Sequence, residues 1–136
     1  MATYESVEGC ITLEASADLS TKQFFFVKID TNAQIAVAAL GDFAVGVLYD
    51  NPSAQGKVGM VAPLGGRKTR VIAGTTITKG DFIKSDANGK AGVAVKANGA
   101  GITGSNVLGI ALESAAANEI FTMLGFAAGA VPTTLA

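Results

Sequence analysis

The chain has no histidine and a single cysteine, Cys10. Without histidine the commonest general base, metal ligand and pH switch are missing, which removes the usual nucleophilic triads and most zinc sites. One thiol can form neither a disulfide within the chain nor a thiolate zinc cluster. With no imidazole to activate it, Cys10 reads as a small apolar residue rather than a nucleophile. It leaves the redox compartment undetermined, with a reducing one slightly favoured. Charge of one sign is lacking too: 10 Lys plus Arg stand against 11 Asp plus Glu, for a formal net charge of −1. No overall field recruits nucleic acid or an anionic membrane. The first eight residues have neither the basic start nor the apolar run of a secretory signal. The apolar stretches 35–40 and 43–49 are separated by Gly41 and Asp42, far short of the roughly 20 residues that span a bilayer. The expectation is a soluble protein with no nucleic-acid and no membrane partner.

A length of 136 residues suits one domain with a real hydrophobic core. Only 15% of residues are charged while 49% are hydrophobic, with 17 glycines among the rest. Such low charge density fits a surface covered by partner proteins. It fits a well-filled monomer equally, because alanine and glycine add little greasy area.

The apolar residues fall in short runs of β type. Residues 23–29 are aromatic and β-branched and lead into Asp30-Thr31-Asn32, a turn; residues 34–38 return with Ile35 and Val37 on one face. Residues 43–49 form a further run, stopped by Asp50-Asn51-Pro52. In residues 57–62, Val58, Met60 and Ala62 alternate with Lys57, Gly59 and Val61. Residues 70–72 precede a stretch in which Gly74 and Gly80 flank a lone Ile77, as in a wide turn plugged by one apolar side chain. Asn88-Gly89, between Phe82-Ile83 and residues 93–95, carries the strongest hairpin signal, of type I′. Residues 97–105 have the composition of a surface loop, and strands at 107–112 and 120–124 follow. The Gly46 run followed by a run carrying Met60 is echoed by the Gly109 run followed by one carrying Met123, which suggests two similar hairpins. The expected fold is all-β, a small barrel or sandwich of short antiparallel strands. Residues 1–20 make an N-terminal arm with a short β piece at 10–13, residues 21–126 the β domain, and residues 127–136 a loose tail.

A search for chemistry returns no catalytic, cofactor-binding or metal site. The carboxylates lie mostly in turns or in the N-terminal segment and read as solvated. Gly65-Gly66-Arg67-Lys68-Thr69 invites comparison with a phosphate-binding loop, but Arg67 separates Gly66 from Lys68 and a β-type run follows where a helix N-terminus is needed. Arg67, Lys68 and Arg70 are the one dense positive cluster. Lys68 and Arg70 would share a face of a strand. The cluster reads either as solvated turn chemistry or as a contact for an acidic partner surface, since arginine forks match carboxylates.

Several segments, in order, resemble the cement or decoration proteins of tailed-bacteriophage heads. They are residues 17–24 leading into Val27-Lys28-Ile29; Gly46-Val47-Leu48 with Asn51-Pro52; Gly65-Gly66-Arg67-Lys68 with Val71; Ala73-Gly74 and Gly80-Asp81; residues 85–90; and residues 108–113. The resemblance covers about residues 15–126. It departs from the pattern at Asn118, where the family commonly has glycine before the last strand and where asparagine can still take positive φ. The resemblance implies a compact β domain, often trimeric, that sits outside an expanded capsid and ties neighbouring capsomers together, with the major capsid protein as partner and no catalytic residues or cofactor. The protein would be made in the host cytoplasm and end on the outer surface of the virion, where Arg67, Lys68 and Arg70 are candidate capsid contacts. Another virion role, as a head-fibre base or tail component, would use the same architecture. A small trimeric β enzyme such as a deoxyuridine triphosphatase has similar length, but its characteristic motifs are absent.

Overall fold

Each short apolar run read as extended forms a strand in the computed structural model, which describes residues 9–99 and 106–126. The strands are β1 (Ile11–Glu14), β2 (Phe26–Ile29), β3 (Ile35–Val37), β4 (Gly46–Leu48), β5 (Val58–Pro63), β6 (Lys68–Ile72), β7 (Phe82–Ser85), β8 (Ala91–Val95), β9 (Gly109–Ala111) and β10 (Ile120–Gly125). They build two five-stranded antiparallel sheets, of order β1-β5-β4-β2-β3 and β6-β10-β9-β7-β8. The sheets pack on each other as a sandwich. A single parallel bridge curls each one, Ala15 to Ile35 in the first and Ala73 to Ala91 in the second, without closing it into a barrel.

The two sheets are two copies of one plan. Strands one to five and six to ten follow the chain in the same sheet order, and the pairing agrees residue by residue. Phe26 faces Val47 and Val27 faces Gly46 in the first half, as Phe82 faces Ile110 and Ile83 faces Gly109 in the second. The hairpin turns match as well. Asp30 accepts the amides of Asn32 (2.8 Å) and Gln34 (3.0 Å) through its carboxylate, and Asp86 accepts those of Asn88 (2.8 Å) and Lys90 (2.9 Å). Three pairs of left-handed residues coincide: Phe24 and Gly80 (φ 69° and 92°), Ala33 and Gly89 (61° and 83°), and Gly56 and Asn118 (85° and 71°). Asn118 thus holds the conformation its side chain tolerates.

Some sequence expectations change. Asn88-Gly89 does end a hairpin, β7 to β8, but only Gly89 has positive φ, so the turn is not type I′. The Asp86 carboxylate caps the loop amides and favours a longer turn with the left-handed residue last. In β5 the alternation holds only in part: Val58 and Met60 are 57% and 42% exposed with Gly59 buried between them, but Val61 and Ala62 are both fully buried. The space above Gly59 is taken by Ile35 and Leu48, whose Cδ1 atoms lie 3.2 Å from where its Cβ would stand. Within the segment assigned to an arm, β1 pairs with β5, and Ala15 and Leu19 are buried, so residues 11–19 are part of the packed body. Cys10 is half-buried. Residues 1–8, the loop at 100–105 and the tail at 127–136 lie outside the described residues.

The core has two parts. Ala15, Leu19, Val27, Ile35, Leu48 and Val61 form a small cluster belonging to the first sheet alone. The larger cluster lies between the sheets: Phe26, Ala38, Ala44 and Val47 enter from the first half, against Val71, Ile83, Phe121, Met123 and their neighbours from the second. Ile77 is buried in this second cluster, as the lone apolar residue of its turn should be.

Candidate interaction surface

Three buried polar residues, Thr69, Asp81 and Ser85, could have marked a chemical site. Each is bonded within the fold instead. Thr69 Oγ1 donates to the Tyr49 hydroxyl at 2.9 Å, and Ser85 Oγ donates to the Asp86 carbonyl at 3.0 Å. The Asp81 carboxylate accepts the amides of Thr78 (2.9 Å) and Ala97 (2.8 Å), with Lys96 Nζ at 3.8 Å. These bonds tie loops to strands and supply the partners that burial demands. Among the described residues no group of three histidines, cysteines or carboxylates could hold a metal ion, and no helix is long and apolar enough to cross a membrane.

The basic cluster stands where Gly65 and Gly66, both at positive φ, return the chain into β6. In β6, Lys68 pairs with Leu124 and Arg70 with Thr122. Alternation turns Lys68 and Arg70 outward and buries Thr69 between them. Arg67 goes the other way. It is half-buried, and its Nη1 lies 2.9 Å from where a Cβ on Gly9 would be. The structure therefore brings Lys68 and Arg70 onto one face and separates Arg67 from them.

Arg70 has an acidic neighbour in its own chain. Glu113 accepts the Thr122 amide at 2.9 Å, and that bond, helped by the Arg70 charge, holds its carboxyl below the usual range. Arg70, Glu113, Ile120 and Thr122 line one shallow cleft. Behind β6 the Tyr49 hydroxyl also accepts the Arg70 amide at 2.8 Å, and the Tyr49 ring meets Phe24 edge to face at 5.4 Å. The strand that carries the cations is thus clamped to the first sheet. None of the three cations makes an ion pair among the described residues, and Lys68 and Arg70 stand exposed while Arg67 is half-buried.

Two surface features escaped the reading of the sequence. Lys22 and Lys90, far apart in the chain, both stand over the Phe25 ring, 5.0 and 5.7 Å from its centroid, at the seam between the halves. The three consecutive phenylalanines masked this, because they suggest one strand, whereas the left-handed Phe24 starts a turn of direction before β2. Exposed apolar side chains also gather at one end of the first sheet, where Ile29 and Phe43 flank the Lys28–Asp42 ion pair (2.7 Å). The Lys28 ammonium, followed by the Ala39 amide, holds the Asp42 carboxyl below its ordinary range.

No protein-family model matches the sequence, and no curated protein matches it. Among solved structures the chain is similar to the head fiber gp8.5 N base of bacteriophage phi29, with a TM-score of 0.66 and 21% sequence identity over 85% of this chain and 92% of that one. At that identity the likeness is one of fold, and it extends over nearly the whole of both chains.

Proposed function

We propose that the chain is a structural protein of a tailed-phage virion that attaches to the outer surface of the head and clamps neighbouring capsomers against internal pressure. The observation that carries this reading is the fold shared with a phage head-fiber base over most of both chains. The ordered resemblance of residues 15–126 to head decoration proteins points the same way. The major capsid protein is the partner, the working unit is a homotrimer, and the protein's own part is binding rather than catalysis. Linked copies, each making modest contacts, gain strongly from avidity. The similar structure also favours a second reading, in which the module is the base of a fiber and anchors it without strengthening the shell.

Co-sedimentation with heads of the phage that encodes the protein tests the attachment. The protein should pellet with expanded heads and raise the temperature at which they release their genome; a fiber base would pellet without that rise. Protein left wholly in the supernatant would refute both. The cationic face supplies a second handle. Reversing Lys68 and Arg70 to glutamate should leave the fold intact and weaken attachment several-fold. Exposed ion pairs contribute under about 1 kcal/mol each, and three linked copies multiply the loss. Wild-type attachment should weaken with salt and that of the reversed variant should depend on salt less. Identical affinity and salt dependence for the two proteins would return these residues to ordinary solvated surface.

A further inference from the structure

The two halves repeat, yet they do not meet symmetrically. Were they related by a two-fold, the core between them would contain residues together with their own counterparts. It contains no such pair. From the first half it takes Phe26 and Val47, whose counterparts Phe82 and Ile110 lie outside it, half-exposed on the outer face of the second sheet. From the second half it takes Ala73, Ile77, Ile83, Ala91, Ala111 and Met123. The counterparts of these are Ala15, Leu19, Val27, Ile35, Leu48 and Val61, which are the entire separate cluster of the first sheet. One face of the first half therefore sits on the opposite face of the second. The second half is left with the face of Phe82 and Ile110 half-exposed, whereas the corresponding cluster of the first half is buried and only the β1 edge beside it stays open.

The strand edges show the same polarity. Along the outer edge of β6, the Arg70 amide donates to the Tyr49 hydroxyl (2.8 Å) and the Ile72 amide to the Phe24 carbonyl (3.0 Å), both in the first half. The counterpart strand is β1, with Thr12 and Glu14 in those places. The match is set by the next residues: the amides of Ala15 and Ala73 turn inward to Lys57 and Glu119, and those of Ser16 and Gly74 turn outward to Ile35 and Ala91. Amides alternate along a strand, so the Thr12 and Glu14 amides point outward at the open end of the sheet. Nothing corresponding to Tyr49 and Phe24 covers them among the described residues. Ile11, accordingly, is 39% exposed, whereas Thr69 in its place on β6 is 2% exposed.

We propose that a second copy of this chain fills the vacancy, docking the open β1 edge and first-half core rim of one copy onto the outer face of β7, β9 and β10 of the next. The junction within each chain would thereby be repeated between chains. The surface offered has the parts required. Phe82 and Ile110 stand where Phe26 and Val47 stand in the internal junction. The Gly80 carbonyl occupies the place of the Phe24 carbonyl, on a residue of the same left-handed conformation. Leu112 replaces Tyr49, since the Leu112 and Tyr49 amides donate to the corresponding carbonyls of Thr122 and Met60. Leucine keeps the apolar contact but has no hydroxyl to accept an amide, so the junction between chains should be weaker than the internal one and reversible. A heterologous junction of this kind closes into a ring when its rotation allows. The homotrimer proposed above would gain an interface in this way, but the inference rests on the internal repeat and is tested without any head.

Sedimentation velocity of the full chain over a range of concentrations reads the association. The wild type should form a discrete oligomer of three copies at high micromolar concentration. Thr12→Pro removes an outward amide at an edge position where proline is tolerated, and Phe82→Lys puts a charge on the opposite face. Each should remain folded by circular dichroism and lose association at least tenfold. Mixing the two variants is decisive. Each retains the surface the other lacks, so the mixture should form one-to-one dimers and nothing larger. A wild type that stays monomeric, an oligomer that survives both substitutions, or a mixture that shows no dimer would each overturn the proposal.

Discussion

Phe26→Ala should destabilise the fold by about 3–5 kcal/mol, the range for removing a buried aromatic from a packed core, while Phe82→Ala should cost no more than about 1–2 kcal/mol. The two residues hold the same place in their halves, each facing the middle strand across a β bridge. Their surroundings differ. Phe26 is fully buried between the sheets, whereas Phe82 is half-exposed on the outer face, in contact with Phe126 at a ring separation of 6.1 Å. Truncation at Phe26 leaves a cavity lined by both sheets, which cannot collapse without moving strands. At Phe82 water and neighbouring side chains fill the space. Urea unfolding of the two variants, at a concentration low enough to keep the chain monomeric, measures the difference directly. Equal losses would mean that both faces are covered alike and that the halves do not pack in the polarity described.

Gly46→Ala and Gly109→Ala should each cost about 3 kcal/mol or more, at the upper end of what overpacking produces. A Cβ at Gly46 would run into the carbonyl oxygen of Ala62, and one at Gly109 into that of Leu124. Both oxygens belong to the paired neighbouring strand, so neither can yield without disturbing the ladder. Neither glycine has positive φ, so the cost is of space and not of backbone conformation. Gly92→Ala is the control, because its Cβ would meet nothing nearer than 3.5 Å. It should be neutral or slightly stabilising, as alanine restricts the unfolded chain. Chemical denaturation of the three variants checks the contrast. Tolerance at Gly46 and Gly109 would show that β4 and β9 are not held as closely to β5 and β10 as the structure has them.

The strands were legible in the sequence because their apolar runs are short and bounded by glycine, proline, asparagine and aspartate. The duplication was legible only in outline. Aligning Gly46 with Gly109 was right, since both occupy the same place beside the long strand of their sheet. Carrying the alignment on to match Met60 with Met123 was off by one. Leu48 pairs with Val61 and Ala111 with Met123, so Val61 is the true counterpart. A slip of one residue in a strand exchanges its faces, which is why Met123 is buried and Met60 exposed. The connection between the paired strands differs in length between the halves, and nothing in the apolar pattern of β5 reveals it, because both of its faces carry apolar residues. A better signal lay in the first hairpin of each half, where Phe26, Lys28, Asp30, Asn32 and Val37 recur as Phe82, Lys84, Asp86, Asn88 and Val93 at one constant offset. The core obscured the kinship further by exchanging volume: Ile35, Leu48 and Gly59 in the first half answer to Ala91, Ala111 and Phe121 in the second. Each set fills similar space, which no single position discloses.

The candidate surface was half legible. Alternation along a strand correctly joined Lys68 to Arg70, and the same rule puts Arg67 on the other side. The nearness of Arg70 to Glu113, and of both Lys22 and Lys90 to the Phe25 ring, depends on which strands become neighbours, and local sequence carries no trace of that.

Attachment to the outside of a phage head is tested most directly by electron cryomicroscopy of expanded heads saturated with the protein. The expected result is ordered density on the outer surface, bridging neighbouring capsomers, into which the two-sheet body fits with the Lys68 and Arg70 face toward the shell. A bare outer lattice, or density confined to the tail vertex, would contradict it.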